Sequence, residues 1–498
     1  MEGYKETGMD EFDIFPISIT RFNALGGYAR QPMTLLYLDE MGHFEIEGGA
    51  VIGILGKDIT DGDYGGVVMA RDRNLRFRGT TVTHFDVSLE KAKEKLFSAM
   101  REAALASSEE HYQGDEKGNP VDFFTHVHPP SQLNPSFVQL TTSEGYSPAR
   151  SIIEPMMRWH EDADGNFIEQ FQTTGFDQRI WELYLFAMLI EAGYLLDRDH
   201  NVPDFCCSGL LGELFVEAVT VGPTKNNGKI EPPPSIDTQE ELQAYLHEYM
   251  PIKFGSPLYS KLNKEYWKHS HVAGKPLVLA VADFSSPMSM VHSQPALERY
   301  LWGFEHKAEF DANGNLTIIA TRVETHQWGE KKPIPSGFFR QPGSEHISAV
   351  ISSNAGTIAK FNRMGVLTKF GSDRVLLVRE GRMVDHDPNA ALAKFFRVLV
   401  NSAGYEESWI EGLNVYHNPN AATPIAMELL PGAAHHFCDE NGQVTSHTPE
   451  FHPMSSITKH QFPVDVPAIL AEVGNKTHMV WRIKPEELES RKRDMSAT

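Results

Sequence analysis

The chain has 498 residues, 41% apolar and 22% charged, which is long enough for two to four domains and excludes a disordered, collagenous or coiled-coil protein. Its 67 acids against 45 bases leave a formal charge of −22, which repels polyanions in general and confines any nucleic-acid contact to a local basic surface. No apolar run approaches the ~18 residues of a membrane span, no basic-then-apolar leader is visible, and three cysteines, two of them adjacent (Cys206, Cys207), make neither a disulfide framework nor a zinc site; the expectation is a cytoplasmic protein with no membrane partner.

Residues 1–145 read as a β-rich N-terminal domain. Apolar and β-branched residues alternate with glycines over 44–57, and a second strand pattern follows at 64–70. Ser88 precedes Ala92, Leu96, Met100 and Ala104 at helical spacing, so a capped helix is expected to end near Leu105. Residues 107–119 are polar and loop-like. Residues 146–305 read as a central domain: a helix over about 177–192, two strands within 203–221 around a glycine-bounded turn, and a Pro/Gly/Asn-rich loop over 222–234. Helices over about 238–249 and 258–268 and the apolar strand 276–283 complete it. Residues 306–498 read as a mixed C-terminal domain. It holds a turn at 311–315, strands over 316–323 and 347–352, a helix within 385–403 stopped by Gly404, and a polar end at 486–498. The mixture predicts an α/β (α+β) architecture.

Three acids stand out. Glu182 is the one charged residue between Arg179 and Glu191 in an otherwise apolar helix, where a carboxylate is costly unless paired, hydrogen-bonded or metal-bound. Pairing with Arg179 accounts for it equally well. Asp204 follows Pro203 at a strand start, and Glu217 lies in the apolar run Phe215-Val216-Glu217-Ala218-Val219. A turn centred on Leu210 and Leu211 places Ser208 opposite Glu213 and Asp204 opposite Glu217. Like charges so placed repel unless a hard divalent cation sits between them; a register shifted by one would put the two acids on opposite faces.

The set Trp181-Glu182, Pro203-Asp204 and Phe215-Val216-Glu217-Ala218-Val219, followed by a helix and an apolar strand, resembles the PD-(D/E)XK nuclease superfamily over about 110 residues. The flanking segments, such as 64–68 and 353–365, resemble parts of a bacterial protein family. The resemblance implies a restriction-endonuclease-like mixed sheet flanked by helices, and Mg²⁺ or Mn²⁺ held by Glu182, Asp204 and Glu217. It further implies hydrolysis of DNA or RNA, in defence against foreign nucleic acid by analogy. The superfamily's lysine two residues after the second acid is replaced here by Val219. Lys261, bordering the Leu258, Leu262 and Tyr266 stripe, is the first substitute, ahead of Lys225 and Lys264. The missing lysine equally fits a catalytically inactive nuclease fold serving as a binding or assembly module.

Backbone grip on nucleic acid would come from two basic windows, 251–275 with Lys264 and 357–399 with Lys360 and Arg363, and from Lys225 just past the second strand. A solvated mixed-charge face, with 352–365 as a structural turn, is the plainer account of these residues. His126-Val127-His128 is expected in a loop, and His417, His435 and His436 as polar turn residues. Asp162-Ala163-Asp164-Gly165-Asn166 lacks the later ligands of a calcium loop and reads as a turn. Phosphate-binding glycine loops and the Gly-x-Ser-x-Gly elbow are absent. A homo-oligomer is compatible with everything above.

Overall fold

The structure, a computed structural model, describes residues 12–160, 165–197, 199–330 and 332–482. The expectations for residues 1–6, 162–164 and 486–498 lie outside them. Contacts divide the chain into two units: residues 1–176, 189–195 and 361–373 form one, and 177–188, 196–360 and 374–498 form the other. The expected boundaries after 145 and 305 fall inside these units. The strand 277–283, before residue 305, pairs in parallel with the strand 349–353 after it.

In the first unit, β1 (Ile14–Ile17), β2 (Leu38–Ile46), β3 (Val51–Asp58), β4 (Tyr64–Arg71) and β5 (Phe77–Val82) form an antiparallel sheet in sequential order. After the short helix α1 (Ile19–Gly26), the unit's main helix is α2 (Leu89–Leu105), whose first turn is capped by Ser88 accepting from the Lys91 N–H. Ala92, Leu96 and Met100 are fully buried against Phe44, Ile46, Val51 and Val68, as the helical spacing predicts. Strand glycines let the helix come this close: a Cβ on Gly66 would sit 2.8 Å from Leu96 Cδ1. Three helices follow, α3 (Pro135–Thr142), α4 (Ser147–Trp159) and α5 (Phe167–Gln172).

The second unit is built on an eight-stranded sheet entered from helix α6 (Phe176–Glu191). In chain order its strands are β6 (Leu195–Asp197), β7 (Phe205–Gly209), β8 (Gly212–Val221), β9 (Leu277–Asp283), β10 (Ala349–Ser353), β11 (Leu413–His417), β12 (Ala434–Cys438) and β13 (Val444–His447). They lie side by side in that same order. β7 and β8 are antiparallel, β8, β9 and β10 are parallel, and β11 returns antiparallel to β10. All seven residues of β9 are buried, which is why it reads as an unbroken apolar run. α7 (Gln239–Ala244) passes through a π turn at Tyr245–Tyr249 into α8 (Met250–Leu262), and α9 (Gln294–Trp302) links β9 to β10. Phe254, Leu258, Leu262, Leu279, Val281 and Leu297 share one core. A separate four-stranded sheet takes its strands from Leu376–Met383, Lys394–Leu399, Pro453–Gln461 and His478–Trp481. Among the described residues no helix is long and apolar enough to cross a membrane.

Four expectations are corrected. The helix expected over 258–268 begins at Met250 and ends at Leu262, because burial of Phe254, Leu258 and Leu262 outweighs the backbone donor lost at Pro257. The helix expected within 385–403 is instead a loop followed by the strand Lys394–Leu399, paired on both sides. Residues 352–365 are not a turn but lead into helix α10 (Ile358–Leu367). Finally, His417, His435 and His436 lie in strands rather than turns. His417 Nε2 donates to His435 Nδ1 at 2.9 Å, while His436 and His452 each donate to Asn414 Oδ1 at 3.0 Å. Burial, followed by the neighbouring imidazoles, lowers the pKa of His417 to about 4, of His436 to about 3 and of His452 to about 4.

Candidate active site

The β7–β8 hairpin has the expected register: Gly209 faces Gly212, Ser208 faces Glu213 and Phe205 faces Val216. Gly212, at φ 137°, supplies the turn conformation that side chains disfavour. Burial of Phe205, Leu214, Val216 and Ala218 holds that register. One step beyond the ladder, Asp204 and Glu217 are side by side. The Asp204 N–H donates to Glu217 Oε2 at 3.1 Å, and Asp204 Oδ2 accepts from the Ala218 N–H at 2.7 Å.

Glu217 is 3% exposed, and its second oxygen is also engaged. The Lys261 ammonium, from the last turn of α8, pairs with Glu217 Oε1. The Tyr266 hydroxyl donates to the same oxygen at 2.6 Å. Of the three lysines weighed for the place vacated by Val219, Lys261 is the one that reaches Glu217. Lys225 is exposed on the small hairpin Lys225–Asn226/Lys229–Ile230, and Lys264 is exposed past the helix end.

Glu182 is buried on α6, held by Arg179 Nη1 at 2.5 Å and Gln178 Nε2 at 3.0 Å. The Arg179 pairing is therefore present, and Glu182 also lies within electrostatic range of Asp204 and Lys261. Burial raises the Glu182 pKa against the pull of Arg179. Crowding by protein, and then the charges of Glu217 and Glu182, raise that of Asp204; its side chain still touches solvent, which moderates the rise. Burial, followed by the bond to Glu217, also raises the Tyr266 hydroxyl well above its ordinary range.

The donor set is tested by its chemistry. Every potential ligand is a hard oxygen, and three carboxyl groups face two cations. Among the described residues, however, no three His, Cys, Asp or Glu side chains are gathered closely enough to grip a metal alone. Asp204 and Glu217 therefore fit a cation that keeps most of its water and takes one or two carboxylates, which is the habit of Mg²⁺. Glu182, the third acid of the set that the resemblance implies, is already paired with Arg179.

Two expected phosphate contacts are overturned. Lys360 is fully buried, 2.7 Å from Glu407 and 2.6 Å from the Ser408 carbonyl oxygen, and Arg363 is 2% exposed. Neither presents its charge to a polyanion. The sequence reading missed the role of the Tyr266 hydroxyl. The signal was available, because a tyrosine on a buried stripe needs a hydrogen-bond partner for its O–H. Comparison with protein-family models, with curated proteins and with solved structures returns no match.

Proposed function

We propose that this cluster is the catalytic centre of a divalent-metal-dependent phosphodiesterase acting on DNA or RNA. The observation that carries the reading is the Lys261–Glu217 contact: an ammonium from a helix pairs with the acid, while the strand position two residues after that acid holds Val219. The order of elements supports it, namely a helix bearing an acid, three strands, a crossover helix and a strand parallel to the third. Asp204 and Glu217 would hold Mg²⁺ or Mn²⁺, which when bound supplies charge neutralisation at phosphate and an acidified water. Lys261 offers a fixed positive charge for the anion that develops on phosphate. Tyr266 orients Glu217, and Arg179 pairs with Glu182 and offsets part of its charge.

A specific observation favours a second reading. Glu217 already accepts three bonds, from Lys261, Tyr266 and the Asp204 N–H, so the same cluster can serve as a buried strut in a non-catalytic binding module. One experiment separates the two. Single- and double-stranded DNA and RNA are incubated with the protein and Mg²⁺ or Mn²⁺, beside calorimetric titration with Mn²⁺. Under the catalytic reading the protein binds Mn²⁺ and cleaves, and Asp204→Ala and Glu217→Ala lose both properties. Lys261→Ala retains Mn²⁺ binding but loses about 10²-fold or more in cleavage rate. A protein that neither binds Mn²⁺ nor cleaves any substrate is the binding module.

A further inference from the structure

A second polar opening lies elsewhere in the same unit. Leu279 on β9 is level with Glu217 on β8, and Asp283 ends β9 four residues further on, ~13 Å along an extended strand. There Asp283, Ser293, Ser352, Asn354 and Asn414, with Phe254 on the apolar side, line a cavity of about 20 Å³. That is room for one water-sized body.

Asp283 is 5% exposed, and one of its oxygens has no partner. Oδ1 accepts from the Ser285 N–H at 2.9 Å, but Oδ2 makes no hydrogen bond, and no lysine or arginine pairs with Asp283 among the described residues. Asn354 is oriented by its Nδ2, which donates to the Met454 carbonyl, and this leaves Oδ1 buried and unpartnered. The Asn414 amide does not relieve either oxygen, because its Nδ2 donates to the Gly412 carbonyl at 3.5 Å while its Oδ1 accepts from His436 and His452. Two buried acceptors, one a carboxylate with no lysine or arginine partner among the described residues and only the His292 imidazole in electrostatic range, are costly as they stand.

We infer that this cavity is a binding site for one small monovalent cation, with Asp283 Oδ2 as the counter-charge and Asn354 Oδ1 as a neutral ligand. The charge count sets the valence. One carboxylate with neutral oxygens, including the hydroxyls of Ser293 and Ser352, balances a single positive charge, whereas divalent sites built by protein alone recruit several carboxylates. The volume sets the size: K⁺, Na⁺ or NH₄⁺ enters, and a tetraalkylammonium does not. The site does not depend on the Asp204–Glu217 cluster or on nuclease activity.

The test is thermal unfolding of the full chain in chelator-treated buffer at neutral pH. The salts are KCl, NaCl, NH₄Cl and tetramethylammonium chloride at equal ionic strength. At least one small cation raises Tm by about 2 °C over tetramethylammonium, saturably, as a ligand of the native state does. The difference disappears in Asp283→Asn. Equal Tm in all four salts, or the full difference retained in Asp283→Asn, overturns the assignment and leaves a cavity that holds water. If Asp283→Asn fails to fold, Asn354→Leu is used; it is expected to weaken the apparent cation affinity about tenfold, and an unchanged affinity overturns the proposal. A rise given by Mg²⁺ alone, kept in Asp204→Ala and lost in Asn354→Leu, also overturns the monovalent assignment.

Discussion

Glu217 shows how much one buried carboxylate demands of its surroundings. It stands on a strand in an apolar layer, and three donors from three places in the chain satisfy it: Lys261, Tyr266 and the Asp204 N–H. Removing one donor leaves buried charge under-solvated. We expect Tyr266→Phe to destabilise the protein by about 1–3 kcal/mol, the range for a lost hydrogen bond to a buried charged group. Urea unfolding measures this. A loss below about 0.5 kcal/mol would show that water replaces the hydroxyl. Asp204, Glu217 and the preference for Lys261 over Lys225 and Lys264 were legible from residues alone. Glycines bounded a two-residue turn, period two placed both acids on one face, and Lys261 bordered an apolar stripe.

At the scale of elements, close approach and buried imidazoles carry the testable content. Gly365 in α10 packs within the first unit so tightly that a Cβ would lie 2.2 Å from the Pro148 backbone oxygen. Backbone cannot swing aside as a side chain can, so Gly365→Ala should cost about 1–3 kcal/mol or prevent folding. A variant of wild-type stability would mean that the helix shifts freely. The paired strands β11 and β12 bring together His417, His435 and His436, and His452 joins them through Asn414. Their lowered pKa values mean that below pH ~6.5 the unfolded chain takes up protons the folded chain refuses, so stability falls as pH drops from there toward 4. The raised carboxyl of Asp204 acts with the opposite sign over part of this window. The comparison is therefore between wild type and His436→Gln, whose stability should fall less steeply between pH 7 and 5. Parallel curves would remove His436 as a cause. Helix limits were less legible than strand pairing at this scale. Prolines that disfavour a helix locally are overruled by burial that only the assembled core supplies.

Across the whole molecule, the first basic window turns out to be mostly committed. In the first window Lys261 and Lys275 pair with Glu217 and Glu213, Lys268 with Glu265, and Lys253 bonds to the Gly222 carbonyl. In the second, Lys360, Arg363 and Arg379 are buried, whereas Lys369, Arg374, Arg382 and Arg397 are exposed. Lys225 and Lys264 keep exposed charge on a chain of net charge −22. Nucleic acid held at the Glu217 cluster through these two lysines should therefore rest on few phosphate contacts. We expect log Kd to change with log salt by a slope of magnitude about 2, measured by fluorescence anisotropy at fixed Mg²⁺. A slope of 6 or more would reveal a basic surface other than these two lysines.

The sequence by itself determined the local grammar of the molecule: the Ser88-capped helix, the β7–β8 register, the buried β9 strand, and the acids and lysine that meet at Glu217. Each follows from spacing within a few dozen residues, where backbone period and turn chemistry leave one arrangement. Only the tertiary structure decided where polar groups become buried. Lys360 finds Glu407 across 47 residues, Asn414 gathers His436 and His452, and Asp283 ends a strand facing Asn354 across a small cavity. A charged or imidazole side chain reads as surface in the linear chain, because the partner that makes its burial tolerable is identified by folding and not by proximity in sequence.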